Sequence, residues 1–120
     1  MTDAAKLVER YLAIWNTTDA AGRRAEIDAV WTEDARYVDP LVDVTGRDAI
    51  DATIAAVQRQ FPGLVFTPGG DVDAHHDLAR FTWRLGPEGG EAIVVGFDVA
   101  TLTEDGRIRT VHGFLDQVPA

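Results

Sequence analysis

The fold is decided by the stretch Asp34-Ala35-Arg36-Tyr37-Val38-Asp39-Pro40. This stretch follows a helical pattern, and its residues are typical of a short strand that stops at a proline. Alternation along an extended strand places Ala35, Tyr37 and Asp39 on one face. The proline biases the residue before it towards an extended conformation and ends regular pairing. A carboxylate therefore lies at the end of the strand, on the same face as a tyrosine. If that face lines a cavity, Asp39 is a candidate for proton transfer.

Two amphipathic helical patterns precede this strand. The first covers Asp3 to Trp15 and the second covers Ala21 to Trp31, and the polar run Asn16-Thr17-Thr18-Asp19 between them favours caps and turns. In the first pattern, apolar residues recur at helical spacing, at Leu7, Val8, Tyr11, Leu12, Ile14 and Trp15. The inward residues of the second pattern are Ile27, Val30 and Trp31. We therefore predict two helices, each with one buried face.

A third helix is predicted after the strand. Thr45-Gly46-Arg47-Asp48 resembles a helix start, because Thr45 can act as a cap and Asp48 follows three residues later. The pattern continues to about Gln60 and stops at Pro62-Gly63. The apolar face of this helix consists of Ile50, Ile54, Val57 and Phe61.

The rest of the chain is strand-like, and turns rich in glycine and proline separate the strands. Thr103-Glu104-Asp105-Gly106 is a hairpin turn, since its Asp-Gly pair tolerates positive φ. The predicted strands are Leu64 to Thr67, Asp71 to Asp73, His76 to Leu85, Glu91 to Leu102 and Arg107 to Gln117. Three helices with one inserted strand, followed by an antiparallel meander, predict an α+β fold. A curved sheet around helices leaves an open-ended cavity, and such cavities commonly hold small ligands.

The composition narrows the function classes. The chain has 120 residues, 46% of them hydrophobic, which fits one globular domain over residues 1–120. There are 11 basic and 20 acidic side chains and a formal net charge of −9, so we expect no nucleic-acid partner and no membrane partner. The chain shows no secretory signal, no apolar run of membrane-spanning length and no cysteine. We therefore expect a cytoplasmic protein without disulfides or thiolate metal sites.

Four local motifs are similar to those of a known family: Val8-Glu9-Arg10-Tyr11-Leu12 followed by Trp15-Asn16, Asp34 to Pro40, Gly46-Arg47-Asp48-Ala49-Ile50, and Gly96-Phe97-Asp98. Together with the order of elements, they resemble the SnoaL-like branch of the nuclear-transport-factor-two-like superfamily, which includes ketosteroid isomerases and polyketide cyclases. The resemblance covers nearly the whole chain. It implies a cone-shaped α+β domain, with three N-terminal helices packed on a curved, mostly antiparallel sheet around a pocket. It also implies a homodimer and no cofactor, but one scaffold of this kind hosts many reactions.

Within this superfamily, three positions match the ketosteroid isomerases. Their first-helix tyrosine falls on Tyr11, their general-base aspartate falls on Asp39, and their oxyanion-hole aspartic acid falls on Asp98. The resemblance implies that Asp39 moves a proton beside a carbonyl group, while Tyr11 and protonated Asp98 stabilise the enolate oxygen. The third-helix tyrosine that supports the oxyanion tyrosine in those enzymes falls on Ile54, which cannot form that hydrogen bond.

Each of these residues also has an ordinary structural explanation. Asp39 before a proline is typical of a turn, and Tyr11 lies on a helix face where a tyrosine can pack in the core. Asp98 lies in the middle of a strand, on a face with small and apolar residues, where an unpaired buried carboxylate is costly. If this face lines the cavity, Asp98 should be protonated or hydrogen-bonded. The alternative is a strand face exposed to water.

Aromatic residues are candidates for either substrate binding or core packing. Besides the three residues above, the predicted cavity lining comprises Trp15, Trp31, Tyr37, Phe81, Trp83, His112 and Phe114. His112 could orient a substrate, or it could lie at a subunit interface or in the core. His75 and His76 are neighbours whose side chains point opposite ways on a strand, so they do not form a ready metal pair, and we expect no metal site.

Two functions remain open. One is a small cofactor-free enzyme that acts on an apolar carbonyl compound by isomerisation or aldol-type cyclisation. The other is a binding protein of the same fold that holds a small apolar molecule and catalyses nothing. Ile54 favours the second function, and the three acid–base residues favour the first. In addition, one strand face is apolar and something must cover it. The resemblance implies that a second copy of the chain does so. This face consists of Ile93, Val95, Phe97 and Val99.

Overall fold

Three helices pack against one face of a seven-stranded sheet in the computed structural model, which describes residues 3–119. The helices are α1 (Asp3–Asn16), α2 (Ala20–Val30) and α3 (Arg47–Gln60). The strands are β1 (Trp31–Val38), β2 (Asp43–Thr45), β3 (Val65–Pro68), β4 (Asp73–His75), β5 (Leu78–Gly86), β6 (Val94–Leu102) and β7 (Ile108–Gln117). Within residues 3–119, no helix is long and apolar enough to span a membrane.

The sheet is mixed, with the strand order β2-β1-β7-β6-β5-β3 and with β4 paired to β5. β1 and β7 run parallel, and the other neighbouring strands run antiparallel. The last strand therefore lies between the first strand and the long meander. The prediction of an α+β fold, with helices on a curved and mostly antiparallel sheet, is confirmed.

The helices cover only one face of the sheet. Along β6, burial alternates, so that Val94, Gly96, Asp98 and Ala100 are buried while the residues between them are half-buried. The buried face contacts the core, whose largest fully buried side chains include Trp31, Tyr11, Ile14, Ile27, Ile50, Ile54, Ile108, Val30 and Val111. The alternation therefore places the carboxyl group of Asp98 beneath the helices and away from water.

The junction between α2 and β1 is tighter than the sequence predicts. Trp31, predicted as the last inward residue of the second helix, begins β1, and no loop separates the helix from the strand. The guanidinium group of Arg47 donates to the carbonyl oxygens of Trp31 at 2.6 Å and Asp28 at 3.0 Å. Carbonyl groups at a helix end lack partners within the helix, so these donors stabilise the junction. The junction sets the direction of β1.

The start of α3 also differs from the prediction. Thr45 belongs to β2, and the residue that caps the helix is Gly46, whose φ of 96° favours glycine. The predicted capping box of Thr45 and Asp48 is wrong, because no side chain bonds to the cap and Asp48 pairs with Arg24 at 2.5 Å. The backbone N–H of Gly46 instead donates to the carbonyl oxygen of Ala35 at 2.8 Å, which attaches the start of α3 to β1.

Candidate functional site

A half-open cavity of about 270 Å³ lies between α1, α3 and the inner face of the sheet. Its walls are mainly aromatic and aliphatic, and the aromatic residues are Tyr11, Trp15, Tyr37, Phe61, Phe66 and Trp83. Leu41 and Val118 also line it, and they are 77% and 57% exposed, so they mark its mouth. A largely apolar cavity with a few polar groups suits a small apolar molecule.

Tyr11 of α1 lies at the wall of this cavity and contacts the sheet. Its phenolic O–H donates a hydrogen bond of 3.0 Å to Oδ2 of Asp98 on β6. The rings of Trp31 and Phe81 pack against it, with centroid distances of 5.7 and 5.5 Å. This packing fixes the position of the hydroxyl group. Two residues that the resemblance implies separately therefore form one buried pair.

Burial dominates the acid–base behaviour of this pair. It raises the pKa of Asp98 from 3.8 to about 6, although the donor groups of Trp83 and Tyr11 favour the ionised form and oppose the rise, and the charge of Asp39 adds to it. Burial, together with the charge of Asp98, also holds the pKa of Tyr11 well above its ordinary value of 10.0. The buried Oδ1 of Asp98 makes no hydrogen bond with any of the described residues. Asp98 is therefore a carboxyl group that keeps its proton to a higher pH than an exposed one.

A second tyrosine–aspartate pair forms within β1 and the turn that follows it. Tyr37 and Asp39 share a face, as alternation predicts, and the O–H of Tyr37 donates to Oδ2 of Asp39 at 2.8 Å. Oδ1 accepts hydrogen bonds from the backbone N–H groups of Leu41 and Val42 at 2.8 and 3.0 Å, which is an Asx turn around Pro40. Asp39 also lines the cavity. The turn fixes this carboxylate at the edge of the cavity.

Gly113 on β7 lies between the two carboxyl groups. The parallel pairing of β1 and β7 aligns Val38 with His112, and the antiparallel pairing of β6 and β7 aligns Asp98 with Gly113. A Cβ atom at Gly113 would lie 2.9 Å from Oδ1 of Asp98 and 3.4 Å from Cβ of Asp39. The absent side chain therefore leaves room for two aspartates whose charges interact.

The structure brings most of the predicted site residues to this region. Those that line the cavity are Tyr11, Trp15, Tyr37, Asp39 and Trp83. Asp98 is 1% exposed and lies behind Tyr11, to which it is hydrogen-bonded. Trp31 and Phe81 do not line the cavity, because they are 0% and 3% exposed in the core that supports Tyr11. Their predicted contact with a substrate is therefore corrected to a supporting position.

His112 and Phe114 lie on the opposite face of the sheet, so their predicted place in the cavity lining is also corrected. On β7, Val111 is fully buried, whereas Phe114 is 57% exposed. His112 is aligned with Val99 and Phe114 with Phe97, on the face away from the helices. Alternation separates the residues of a strand into two faces, but it does not tell which face the helices cover.

The part of the cavity wall supplied by α3 and β3 is missing from the sequence-based prediction. Val57 and Phe61, predicted only as the apolar face of the third helix, line the cavity, and so does Phe66 on β3. The available signal is that this apolar face continues to the last turn of the helix. Gly113 is missing from the prediction as well, although an isolated glycine within a strand indicates the close approach of another group.

The histidines do not converge on the cavity. His75 ends β4, and His76 lies in the following turn with a φ of 51°, and both are exposed with their rings 5.7 Å apart. In the part of the chain that the structure describes, no group of three or more His, Asp or Glu side chains is arranged to hold a metal ion. The described side chains in the cavity lining that can transfer protons are the carboxyl group of Asp39 and the phenols of Tyr11 and Tyr37.

Comparisons with known proteins agree with this architecture. The family model described as a SnoaL-like domain matches residues 8–111. The solved structure of a candidate isomerase of the SnoaL-like family from Agrobacterium tumefaciens strain C58 is 41% identical, and the match covers 97% of this chain and 99% of that chain with a TM-score of 0.90. A search of curated proteins gives no significant match.

More distant structures share the fold. A candidate SnoaL-like polyketide cyclase from Jannaschia sp. CCS1 is 21% identical over 92% of this chain and 85% of that chain, with a TM-score of 0.69. A SnoaL-like protein of unknown function from Burkholderia thailandensis E264 is 15% identical over 96% and 98% of the two chains, with a TM-score of 0.74. At these identities the likeness concerns the fold alone. Because the family model and the Agrobacterium structure match most of its length, the chain belongs to the SnoaL-like family.

Proposed function

We propose that the cavity is the active site of a small cofactor-independent enzyme that moves a proton at the carbon beside a carbonyl group of an apolar compound. The observation that carries the proposal is the convergence of two tyrosine–aspartate pairs, Tyr11–Asp98 and Tyr37–Asp39, next to Gly113. Enolate chemistry needs a fixed base and hydrogen-bond donors for the developing oxyanion. Isomerisation and aldol-type cyclisation both begin with this step.

Asp39 is the proposed base. Its Oδ1 is occupied by two backbone N–H groups, whereas Oδ2 accepts a single hydrogen bond, from Tyr37. Oδ2 therefore retains a lone pair that can accept a proton. A ketone in the cavity would give its α-proton to this oxygen, and the proton would return at another carbon in an isomerisation. The three hydrogen bonds hold the carboxylate in one orientation during both transfers.

Tyr11 and Asp98 are the proposed oxyanion stabilisers. When Asp98 is ionised, the O–H of Tyr11 is committed to its carboxylate. When Asp98 is protonated, its own O–H can donate to the oxygen of Tyr11, and the phenolic O–H of Tyr11 is then free to donate to a substrate oxygen. Since the pKa of Asp98 is about 6, both forms are accessible near neutral pH.

The relatives support this class of reaction without identifying a substrate. The 41% identical structure is a candidate isomerase, and a neighbour that shares the fold is a candidate polyketide cyclase. Because an isomerase and an aldol-type cyclase of this kind both stabilise an enolate, one base and one pair of oxyanion stabilisers can serve either reaction. The proposed step is therefore the proton transfer, and the structure of the substrate determines which product the enolate forms.

Hydrogen–deuterium exchange tests the proposal. The protein is incubated with 2-tetralone in D₂O, and the loss of the α-proton signal is followed by NMR. We expect exchange above the buffer rate and a loss of about a hundredfold or more in Asp39→Asn, the usual contribution of a general base. Asp34→Asn is the matched control, because Asp34 is exposed on β1, the strand that precedes Asp39. Equal rates in the wild type and Asp39→Asn would refute the proposal.

A binding protein that holds a small apolar molecule without catalysis is the second candidate. The hydroxyl group of Tyr11 donates to Asp98, which favours this function because the donor is already used. Ile54, at the position of the supporting tyrosine in the isomerases, is 0% exposed and supplies no hydrogen bond. If this candidate is right, a bicyclic ketone binds to the cavity and its α-protons exchange only at the buffer rate.

We also propose that a second copy of the chain covers the outer face of the sheet, and that the dimer works in the cytoplasm. Phe97 and Phe114 are aligned across β6 and β7 on this face, and Phe114 is 57% exposed. Ile93, just before β6, is 37% exposed. Large apolar side chains left exposed on a sheet face are typical of an interaction surface. The cysteine-free sequence suits a reducing compartment.

A further inference from the structure

The indole ring of Trp83 forms the wall of the cavity on the side of the sheet. Trp83 on β5 is aligned with Gly96 on β6. A Cβ atom at Gly96 would lie 2.7 Å from the indole nitrogen and would overlap the six-membered ring. The ring therefore lies over a glycine, where any larger residue would displace it. Phe66 packs against the same ring at a centroid distance of 5.3 Å, so the indole is held by two neighbours.

The cavity beside this wall is small. Its volume of about 270 Å³ is just below the usual range for ligand pockets, which is roughly 300–1,000 Å³. A cavity of this size suits a mono- or bicyclic compound better than a larger ring system. A tetracyclic compound would have to extend into solvent between the exposed Leu41 and Val118, or displace Trp83.

The lining also disfavours negative charge. Of the described residues that line the cavity, Asp39 is the one charged side chain, and none is Lys, Arg or His. Asp98 lies directly behind Tyr11. An anionic ligand would lose its water on entering and would meet a carboxylate instead of a cation. Carboxylates and phosphates are therefore poor ligands for this cavity.

We propose that the substrate is a compact, uncharged, mono- or bicyclic carbonyl compound, and that Trp83, held over Gly96, is the specificity-determining residue that sets the limit on size. The limit on charge comes from Asp39 and from a lining without cations. This inference rests on the proposed function in that it takes the cavity as the substrate site. It adds a limit on size and a limit on charge that enolate chemistry itself does not impose. Removal of the indole ring enlarges the cavity on the side of the sheet.

Calorimetric titration with three probes tests both limits. 2-Acetylnaphthalene is the compact neutral ketone, 2-naphthoate is an anion of nearly the same size and shape, and androst-4-ene-3,17-dione is the tetracyclic ketone. We expect the wild type to bind 2-acetylnaphthalene about ten times more tightly, or better, than either of the other probes. In Trp83→Ala, the ratio of the two ketone affinities should shift by about tenfold towards the steroid. The preference over 2-naphthoate should remain.

Two further variants keep the test decisive. Trp83→Phe retains a ring and should give an intermediate ratio, which serves if Trp83→Ala fails to fold. Thr82→Ala is the matched control, because Thr82 immediately precedes Trp83 on β5 and points to the other face of the sheet. This variant should leave the ratio of the two ketone affinities unchanged.

Several results would overturn the inference. The first is that the wild type does not bind 2-acetylnaphthalene. The second is that the wild type binds 2-naphthoate or the steroid as tightly as it binds 2-acetylnaphthalene. The third is that neither Trp83 variant changes the ratio of the two ketone affinities. The readout is binding and does not depend on proton exchange. If the protein ranks the probes as expected but exchanges no proton, the proposed reaction is wrong, whereas the limits on ligand size and charge still hold.

Discussion

Oδ2 of Asp98 lies 3.0 Å from the hydroxyl group of Tyr11, although 87 residues separate the two in the chain. The pair connects the first helix to the centre of the sheet, and each residue is 1% exposed. A hydrogen bond to a group that can carry charge is stronger in such surroundings than in water, and an unpaired partner is costly there. Changes at either residue should therefore alter both stability and chemistry.

Replacing Tyr11 with phenylalanine keeps the ring and removes the donor. Oδ1 of Asp98 has no hydrogen-bond partner among the described residues. The variant also removes the O–H group that donates to Oδ2. We expect urea denaturation at neutral pH to show a loss of about 1–3 kcal/mol in the free energy of unfolding. The α-proton exchange rate should fall by about a hundredfold. In acid, where Asp98 is protonated, the stability loss should be smaller, and an equal loss at both pH values would contradict this prediction.

The pKa of Asp98 predicts how stability varies with pH. Burial raises this pKa from 3.8 to about 6, so the folded protein holds the proton more tightly than the unfolded chain does. The resulting stabilisation is fully present below the unfolded value and is lost as the pH rises through the folded value. A shift of this size amounts to about 3 kcal/mol. Asp98→Asn cannot ionise, so it should not lose this stabilisation between acid and neutral pH.

Urea denaturation of both proteins at a series of pH values measures this contribution. The difference between the two curves isolates Asp98 from the other carboxyl groups of the chain. Asp73→Asn is the control, because Asp73 is exposed in an ion pair with Arg80 and should leave the curve between acid and neutral pH nearly unchanged. If wild type and Asp98→Asn gave parallel curves, the burial of Asp98 would not be a source of the pH dependence.

The same protonation should govern the proposed catalysis. The hydroxyl group of Tyr11 is free for an oxyanion only when Asp98 is protonated, so the wild-type exchange rate should fall as the pH rises through about 6. Asp98→Asn keeps a hydrogen-bond donor and cannot titrate. Its pH profile, measured by NMR with the buffer rate subtracted, should lack this fall. A fall at the same pH in the variant would assign the titration to another group.

Gly113→Ala should force the two carboxyl groups apart. The new Cβ atom would lie 2.9 Å from Oδ1 of Asp98, which is closer than carbon and oxygen normally approach, and 3.4 Å from Cβ of Asp39. We expect a loss of about 1–3 kcal/mol in the free energy of unfolding, because a packed site cannot absorb the extra atom without movement. Exchange per folded molecule should fall by about tenfold or more, because a small misplacement of a catalytic group is costly.

Gly90→Ala provides the comparison for this variant. Gly90 lies in an exposed turn, and its added Cβ atom would meet the side chain of Pro87 at 3.3 Å. The rate of exchange should stay at the wild-type value. If Gly113→Ala and Gly90→Ala both exchanged protons at the wild-type rate, the spacing of Asp39 and Asp98 would not control the reaction.

Phe114→Glu should disrupt the proposed dimer. The phenylalanine is 57% exposed beside Phe97 on the outer face, and a carboxylate there would be buried without a partner when a second copy covers it. Sedimentation velocity should show a dimer for the wild type and a monomer for the variant. Leu41→Glu is the control, because Leu41 is 77% exposed at the mouth of the cavity and lies outside this face. A wild-type protein that sediments as a monomer would contradict the prediction.

Local patterns predicted the elements, and tertiary contacts decided where some of them begin. Helical spacing and alternation are properties of neighbouring residues, so the three helices and the meander could be predicted. Trp31 begins a strand where a helix was predicted, because it pairs with Ile108 of β7, and Arg47 donates to its carbonyl oxygen. The assigned face was wrong for His112 and Phe114 because a period of two does not show which face the helices cover.

The residue types of the candidate site could be predicted, but their pairing could not. Asp39 and Tyr37 are two residues apart, so alternation alone placed them together. The contact of Tyr11 with Asp98 depends on how α1 crosses the sheet, which no local pattern contains. Gly113 is informative only when β1, β6 and β7 are known to be neighbours.

The parallel pairing of β1 with β7 also bears on how the chain folds during synthesis. Residues Val38 and His112 become neighbours in the sheet, so β1 cannot complete its pairing until β7 has left the ribosome. Until then, β1 and β6 both present unpaired backbone groups, which makes unfinished or truncated chains prone to aggregate. Such distant pairing is slow, and we expect it to limit the folding rate. Since β7 carries Gly113, the two carboxyl groups meet only in this closing step.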